Sequence, residues 1–168
     1  HHLNPPWSCD YTMNINLEEN YWLAENTNLS EMHAPLLSFI KNLSVTGKVT
    51  AKTFYGVDEG WTAAHNSDIW AMTNPVGQFG KEEPMWACWN MAGAWLSTHI
   101  WEHYVFTQDK NYLKNEGYEI MKGASQFCLK WLVEDKNGNL ITSPSTSPEN
   151  QYSTPDGFIG ATIYGGTA

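Results

Sequence analysis

The sequence predicts a mainly α-helical fold, built from α-hairpins that form part of a toroid and carry long loops. Apolar residues recur at three- and four-residue steps along two long segments, which is the spacing of one buried helix face. A short polar run separates these two segments. Two other stretches are rich in glycine, proline, asparagine, serine and aromatic residues without periodicity, which is typical of functional loops.

The two periodic segments predict a helical hairpin in the second half of the chain. The first helix is expected from about Met85 to Val105, with an apolar face that contains Trp89, Ala92, Trp95, Leu96, His99 and Tyr104. The polar run Thr107–Lys110 ends it. The second helix is expected from about Asn111 to Val133, with an apolar side that contains Leu113, Ile120, Ala124, Phe127, Cys128 and Trp131. A tight turn at 135–139 follows it.

The first half of the chain predicts shorter helices, at 16–24, 31–43 and 45–55, with an interruption of the last at Gly47. Segments 56–84 and 142–168 are the long loops. A ring of twelve helices needs roughly 200 residues even with short loops. The 168 residues therefore predict a partial domain, truncated before the barrel closes, over residues 3–168. We interpret His1 and His2 as a tag remnant.

Composition and charge exclude several classes of protein. Apolar residues make up 42% of the chain and charged residues only 16%, which argues against disorder. The net charge is −9 and all nine basic residues are lysines, so the chain lacks the arginine fork that reads phosphate and guanine. We therefore predict neither a nucleic acid nor a membrane as partner. Nine tryptophans and eight tyrosines fit either aromatic core packing or stacking on sugar rings.

Residues 7–22 contain two asparagines, Asn14 and Asn16, that stand two positions apart. In an extended segment both amides face the same side, where they would hold a sugar hydroxyl or a water molecule. Alternatively, Asn14 caps the helix that follows by accepting a hydrogen bond from one of its free N–H groups. The spacing by itself is compatible with both roles.

Residues 60–70 place His65, Asn66 and Asp68 within four positions, between Trp61 and Trp70. This grouping suits a sugar site, where polar groups make directed hydrogen bonds and an aromatic ring serves as a platform. A buried structural network is the other interpretation. We predict no metal site, because no second histidine or carboxylate stands at a ligand interval.

Residues 142–150 form a loop that Pro144 and Pro148 stiffen and that ends with Glu149 and Asn150. A glutamate held rigidly in a desolvated site stays protonated near neutral pH and can act as a general acid. A solvated loop glutamate without a chemical role is the alternative. We predict no cofactor, because the sequence contains no phosphate-binding glycine loop, nucleophile elbow or Cys-x-x-Cys pattern.

Residues 7–22, 60–70 and 142–150, in this order along the chain, resemble glycoside hydrolase family 95. The likeness covers nearly the whole chain, through Leu3–Trp7, Asn14–Asn16, Asn20–Trp22, Gly60–Thr62, His65–Trp70, Met91–Leu96, His99–Tyr104 and Ser143–Asn150. The resemblance implies an (α/α)6 barrel with long active-site loops. It also implies an exo-acting, inverting hydrolase that removes terminal α-L-fucosyl residues from glycans outside the cytosol.

The resemblance assigns roles to individual residues. Glu149 is the general acid, and Asn14 and Asn16 are the family's asparagine pair, with Asn16 positioning the attacking water. The family activates that amide through an aspartate in a later segment, which is expected beyond Ala168. The isolated chain is therefore expected to be inactive. Inversion places acid and base groups roughly 6.5–9.5 Å apart to admit a water molecule.

Two positions depart from the family pattern. Ala64 stands where the family often has a second histidine, and Thr12 stands where fucosidases can carry a histidine near the C5 substituent of the sugar. L-Fucose is 6-deoxy-L-galactose, so the smaller Thr12 predicts an α-L-galactoside as alternative substrate. A non-catalytic sugar-binding or structural module, and another enzyme of this fold such as a phosphorylase, remain alternatives. An incomplete barrel would expose apolar hairpin faces, which predicts self-association.

Overall fold

The computed structural model describes residues 3, 9–75, 87–147 and 150–157, together with the backbone of three short strands between 159 and 167. The general acid predicted at Glu149, the adjacent Pro148 and the stretch 76–86 lie outside the described residues. The described part of the chain is mainly helical, as the sequence predicts. None of its helices combines the length and hydrophobicity that crossing a membrane requires.

The described residues of the first half of the chain contain two helices with a short 3-10 turn between them. Helix α1 comprises Ile15–Asn26, the 3-10 turn Ser30–Met32, and helix α2 Ala34–Tyr55. The interruption predicted at Gly47 is wrong, because α2 is continuous through it. Gly47 instead allows a close approach, since a Cβ at this position would collide with the carbonyl oxygen of Thr62.

The second half contains the predicted helical hairpin, which is confirmed. Helix α3 comprises Ala92–Thr107, and a short helix α4, Lys110–Tyr112, continues through a π-helical segment, Leu113–Gly117, into helix α5, Tyr118–Trp131. Asp109 caps the second arm by accepting hydrogen bonds of 2.9 Å from the N–H groups of Asn111 and Tyr112. Helix α3 begins later than the expected Met85.

The helices pack around Trp61, whose side chain is only 1% exposed. Its indole N–H donates a 2.8 Å hydrogen bond to the carbonyl oxygen of Ile120. Glycines of two helices face the ring: a Cβ at Gly93 would lie 2.9 Å from Trp61 Cζ3, and one at Gly123 2.8 Å from Trp61 Cδ1. A wide indole therefore fills the space where α2, α3 and α5 meet.

Short strands connect the segments between and after the helices. Strand β1, Tyr11–Thr12, pairs antiparallel with β2, Asn66–Ser67. Seven more short strands lie in the described part of 133–168, so the expectation that 142–168 lacks regular structure is wrong. They are β3 Val133–Glu134, β4 Leu140–Thr142, β5 Ser145–Thr146, β6 Tyr152–Ser153, β7 Ile159–Gly160, β8 Thr162–Ile163 and β9 Gly166–Thr167. They pair antiparallel as β3–β4–β9, β5–β8 and β6–β7.

Candidate active site

The β1–β2 pair brings the first two polar segments of the sequence together. Its register places Thr12 opposite Asn66. The N–H of Met13 donates a further 2.7 Å hydrogen bond to the carbonyl oxygen of His65. Two segments more than fifty residues apart in sequence thus form one polar surface at the start of α1.

A line of side-chain hydrogen bonds runs across this pair, and we call it the open cluster: Asp10, Thr12, His65 and Asn66. The Thr12 hydroxyl donates to Asp10 Oδ1 at 3.2 Å, and Asn66 Nδ2 donates to Asp10 Oδ2 at 2.6 Å. Asn66 Oδ1 lies 2.7 Å from His65 Nδ1. His65 is buried, whereas the other three side chains are half-buried and can meet a ligand.

The two asparagines stand at the beginning of α1, beside the open cluster. Asn14 is buried and occupies the N-cap position, where its Oδ1 accepts a 3.4 Å hydrogen bond from the N–H of Asn16. Asn16 is exposed in the first helical turn. The expectation of an extended segment is therefore wrong, because Asn16 has helical backbone and the two-residue alternation does not apply. The alternative role of Asn14 as a cap is confirmed.

Three other predicted sugar contacts lie in different environments. Trp61 is enclosed in the helical core, so its ring face is not available for stacking and the predicted platform role is wrong. Asp68 shapes its own turn, with Oδ1 accepting hydrogen bonds of 2.9 Å and 3.2 Å from the N–H groups of Trp70 and Met72. Trp70 is 80% exposed and is the aromatic residue of this segment that a sugar ring could reach.

The segment that leads to Glu149 borders a cavity of about 330 Å³. Its lining residues are Tyr55, Cys88, Asn90, Met91, Trp131, Thr142, Pro144, Ser145 and Thr146. Asn90 is buried, and its Nδ2 has no hydrogen-bond partner among the described residues. Polar and aromatic groups thus face an open volume next to the loop of the predicted acid.

A second polar group lies inside the helical core, and we call it the closed cluster: Glu18, Glu25, His33, His99 and His103. Glu25 Oε1 lies 2.7 Å from His33 Nδ1 and 2.6 Å from His103 Nδ1. His33 Nε2 lies 2.9 Å from His99 Nδ1, and His99 Nε2 lies 2.6 Å from Glu18 Oε2. The cluster ties both ends of α1 to α2 and α3.

The sequence matches the family description Glycosyl hydrolase family 95 catalytic domain over residues 1–168. The chain belongs to glycoside hydrolase family 95. The resemblance seen in the sequence motifs is thereby confirmed. The helical hairpins of the structure agree with the (α/α)6 barrel that the family membership implies.

Relatives in this family carry fucosidase names. The chain is 43% identical over 165 residues to Alpha-L-fucosidase 2 of Arabidopsis thaliana, which covers 98% of this chain and 19% of that protein. It is 35% identical over 165 residues to Probable alpha-fucosidase A of Aspergillus niger, covering 96% of this chain and 20% of that protein. The family 95 chain thus spans about one fifth of the length of these relatives.

Sequence reasoning about this family 95 chain missed Asp10 and the closed cluster. Asp10 lies two positions before Thr12, so the alternation that was applied to the asparagines would have selected it as well. Glu18 and Glu25 stand seven residues apart on α1, and His99 and His103 four apart on α3, which places each pair on one helix face. The missed signal is an acidic pair and a histidine pair at helical spacing.

Burial sets the protonation of the closed cluster. Burial raises the pKa of Glu18 above its usual value, against the opposing effect of His99, and burial lowers the pKa of His33. For Glu25, burial alone would raise the pKa, but hydrogen bonds from Ser30, His103 and His33 outweigh it and leave the pKa below its usual value. The pKa values of the two buried carboxyl groups of α1 are thus shifted in opposite directions.

Proposed function

We propose that this chain is a segment of the catalytic domain of an exo-acting, inverting glycoside hydrolase that removes terminal α-L-fucosyl residues from glycans. The observation that carries the proposal is the family match over residues 1–168, together with the fucosidase names of relatives that align with 98% and 96% of the chain. The polar open cluster beside Asn14 and Asn16 supports a sugar site in this segment.

In this proposal the reaction is a single displacement at the anomeric carbon. Glu149 protonates the leaving glycosidic oxygen, while the amide of Asn16 holds the attacking water on the opposite face of the sugar. Asn14 fixes the helix start that carries Asn16. An aspartate from a later segment of the protein takes the proton from the water, so residues 1–168 alone are inactive.

The open cluster supplies sugar recognition in the same scheme. Asp10 and Asn66 offer oxygen acceptors and an amide donor within one half-buried patch, which suits the vicinal hydroxyls of a pyranose. Exposed Trp70 supplies an apolar face for the ring. Because the substrate is a glycan chain, we place the protein outside the cytosol. Activity confined to the cytosolic fraction of its native cells would contradict that location.

The test is hydrolysis of an aryl α-L-fucoside and of a natural fucosylated oligosaccharide by the full-length protein and its Glu149→Gln variant. Because the amide cannot donate the catalytic proton, kcat on the oligosaccharide should fall roughly 10²–10⁴-fold. The matched control is Glu134→Gln, an exposed glutamate in the preceding hairpin, which should keep full activity. A product with retained anomeric configuration, or full activity of Glu149→Gln, would overturn the mechanism.

One observation favours an α-L-galactoside as a second candidate substrate. Thr12 is short, half-buried and donates its hydroxyl to Asp10, which leaves its oxygen lone pairs able to accept from the 6-hydroxyl of L-galactose. The ratio of kcat/KM for aryl α-L-galactoside to aryl α-L-fucoside measures this preference. Thr12→Val, which keeps the shape and removes the hydroxyl, should lower the ratio. An unchanged ratio would remove Thr12 from sugar selection.

Apolar side chains on outer helix faces support the proposed packing against further helices. Val45 and Val49 of α2 are 65% and 66% exposed, and Trp101 of α3 is 53% exposed. In the isolated segment these faces should drive self-association. A monomer of residues 1–168 in sedimentation experiments at micromolar concentration would contradict this part of the proposal.

A further inference from the structure

Helix α1 is held by a carboxyl group near each of its ends. Glu18, in the first turn, and Glu25, in the last, are both buried with side chains that are 0% exposed. Glu18 contacts His99 of α3, whereas Glu25 contacts His33 at the start of α2 and His103 of α3. A buried line of hydrogen bonds therefore runs from one end of α1 to the other.

The contact between the two central histidines restricts where the protons of this line can lie. His33 Nε2 and His99 Nδ1 are 2.9 Å apart, so one nitrogen must carry a hydrogen and the other a lone pair. With one proton in each bond of the Glu18–His99–His33–Glu25 line, two orders leave both histidines neutral. Both orders contain the same number of protons, and they differ only in direction.

In the first order Glu18 is a neutral carboxylic acid that donates to His99 Nε2. His99 Nδ1–H then donates to His33 Nε2, and His33 Nδ1–H donates to an ionised Glu25. In the reverse order Glu25 is the neutral acid that donates to His33 Nδ1, His33 Nε2–H donates to His99 Nδ1, and His99 Nε2–H donates to an ionised Glu18. Each of these two orders buries a single carboxylate, whereas an order with an imidazolium between two carboxylates would bury three charges, and each buried ion carries a large desolvation cost.

The surroundings of the two carboxyl groups favour the first order. Glu18 Oε1 is buried and has no hydrogen-bond partner among the described residues, which costs less for the carbonyl of a neutral acid than for an anion. Glu25 instead accepts from the hydroxyl of Ser30 on Oε2 and has the Nδ1 atoms of His33 and His103 within 2.7 Å of Oε1, an environment with three polar partners that suits an anion. The raised pKa of Glu18 and the lowered pKa values of His33 and Glu25 agree with this order.

The distances around Glu25 are those of hydrogen bonds. Glu25, His33 and His103 offer ligand atoms within 4.8 Å of one another. However, both imidazole nitrogens lie 2.6–2.7 Å from the same oxygen, Glu25 Oε1. Ligand atoms about 2.0–2.1 Å from a tetrahedral zinc ion would stand about 3.3 Å apart. One carboxylate oxygen shared by two N–H donors accounts for the observed spacing.

Glu18 is also linked to the residues that are proposed to hold the catalytic water. Its N–H donates a 3.3 Å hydrogen bond to the carbonyl oxygen of Asn14, and Leu17 N–H donates one of 3.2 Å to the same oxygen. Asn16 lies between these positions in the first helical turn. A displacement of Glu18 would therefore move the backbone that carries Asn14 and Asn16.

We propose that Glu18 is a positioning residue that remains protonated at neutral pH. It starts a chain of hydrogen bonds in which Glu18 donates to His99, His99 to His33 and His33 to Glu25. This chain holds the first turn of α1 and its asparagine pair in place. The role in catalysis rests on the proposed function. The proton order rests on the contacts alone. Glu18 itself does not touch the substrate in this proposal.

Three variants of the full-length protein test it. Glu18→Gln keeps the shape and supplies an N–H donor to His99, so its kcat on an aryl α-L-fucoside should stay close to wild type. Glu18→Met removes the donor at similar length, so kcat should fall about 10–100-fold with little change in KM, because a small misplacement of reacting groups has this effect. Glu19→Gln, an exposed neighbour on α1, is the matched control for charge.

Infrared spectroscopy of the unsubstituted protein gives a second readout that does not depend on activity. At neutral pH the spectrum of the unsubstituted protein minus that of Glu18→Gln should contain the carbonyl band of a protonated carboxylic acid. The difference from Glu19→Gln should lack it, because other protonated groups such as Glu149 contribute equally to all of these spectra. A Glu18→Gln difference spectrum without that band, or a Glu18→Gln variant that loses as much kcat as Glu18→Met, would overturn the proposal. So would wild-type kcat in a folded Glu18→Met variant.

The same experiment separates this proposal from the proposed function. Absence of fucoside hydrolysis by the unsubstituted full-length protein would overturn the proposed function and with it the catalytic role of Glu18. The infrared band would then still decide the proton order. A fully active unsubstituted protein without the band would instead overturn the proton order and leave the hydrolase function intact.

Discussion

The closed and open clusters use the same kinds of side chain in two different environments. The closed cluster joins Glu18, Glu25 and three histidines inside the helical core. The open cluster joins Asp10 to Thr12 and Asn66 at a strand pair, where these side chains are half-buried. Each cluster connects α1 or its preceding strand to a distant part of the chain.

The difference in burial gives the two clusters different tasks. Inside the core a polar group that loses its partner has no water to replace it, so the hydrogen-bond pattern of the closed cluster is fixed. At the half-buried strand pair a side chain can exchange a protein partner for water or a ligand hydroxyl at little cost. The closed cluster therefore suits the positioning of α1, and the open cluster suits sugar recognition.

Trp61 lies between the two regions. Its indole packs against Gly93 and Gly123 in the core, and residues 62–64 connect it directly to His65 and Asn66 of the open cluster. Trp61 N–H and Thr62 N–H donate hydrogen bonds to the carbonyl oxygens of Gly123 at 3.2 Å and Gly47 at 3.3 Å. The position of His65 and Asn66 thus depends on the helical core.

The largest effect is expected from Glu25→Ala, which breaks the closed cluster. The substitution leaves the donors of His33, His103 and Ser30 without their acceptor in a buried cavity. We expect the free energy of unfolding to fall by about 3–5 kcal/mol. Denaturant titration measures it, with the exposed Glu31→Ala as control. A loss below about 1 kcal/mol would show that the cluster is not the fixed network described above.

Gly93→Ala should perturb the boundary between the regions. Its Cβ would lie 2.9 Å from Trp61 Cζ3, and α3 and the indole are held by packing on both sides. We expect a loss of about 1–3 kcal/mol in unfolding free energy from overpacking. Thr98→Ala, on the exposed side of the same helix, is the control and should change stability by about 0.5 kcal/mol or less. Equal stabilities of the two variants would contradict this packing.

Asp10→Ala should affect stability less than Glu25→Ala and affect substrate binding more. Thr12 and Asn66 lose their shared acceptor, but both are half-buried and can turn to water. We expect a loss of about 1 kcal/mol in unfolding free energy. We also expect a rise in KM for the fucoside, which steady-state kinetics of the full-length protein would measure. A loss as large as that of Glu25→Ala would remove the distinction between the clusters.

The smallest expected effect is a difference in how stability depends on pH. Burial raises the folded-state pKa of Glu18 above its unfolded value of about 4.3, so the stability it contributes is present below that value and is lost as the pH rises through the folded pKa. The stability of Glu18→Gln relative to wild type should therefore increase with pH above about 4.3. Thermal melting at a series of pH values measures this difference. Parallel curves for the two proteins would contradict it.

The contribution of His33 to stability should change with pH in the opposite direction to that of Glu18. Because burial lowers its pKa below about 6.5, neutral His33 contributes stability above that pH, which is lost as the pH falls toward the folded pKa. The titratable groups that face it are Glu25, His99, His103 and the stacked ring of Tyr21. In the same melting series, both wild type and Glu18→Gln should lose stability below about pH 6.5. A constant melting temperature across that range would contradict the assignment.

Local sequence patterns predicted the helical hairpin and the polar segments of the candidate site. The apolar spacing in 113–131 gave the buried face at Ile120, Ala124 and Phe127, because helical periodicity is a property of neighbours along the chain. The short contiguous motifs of the sequence led to the correct family. The predicted break at Gly47 failed because a local helix breaker served a tertiary close approach.

By itself, the sequence determined the mainly helical class, the α3–α5 hairpin, the family and the residue types of the site. Only the tertiary structure decided that Thr12 stands opposite Asn66, that Trp61 is buried, and that His33 meets His99 across 66 positions of sequence. Contacts over such separations depend on how the helices pack, and side-chain spacing within one helix carries no information about them. The roles of Glu18 and Glu25 follow from that packing, because burial and the number of donors set their protonation.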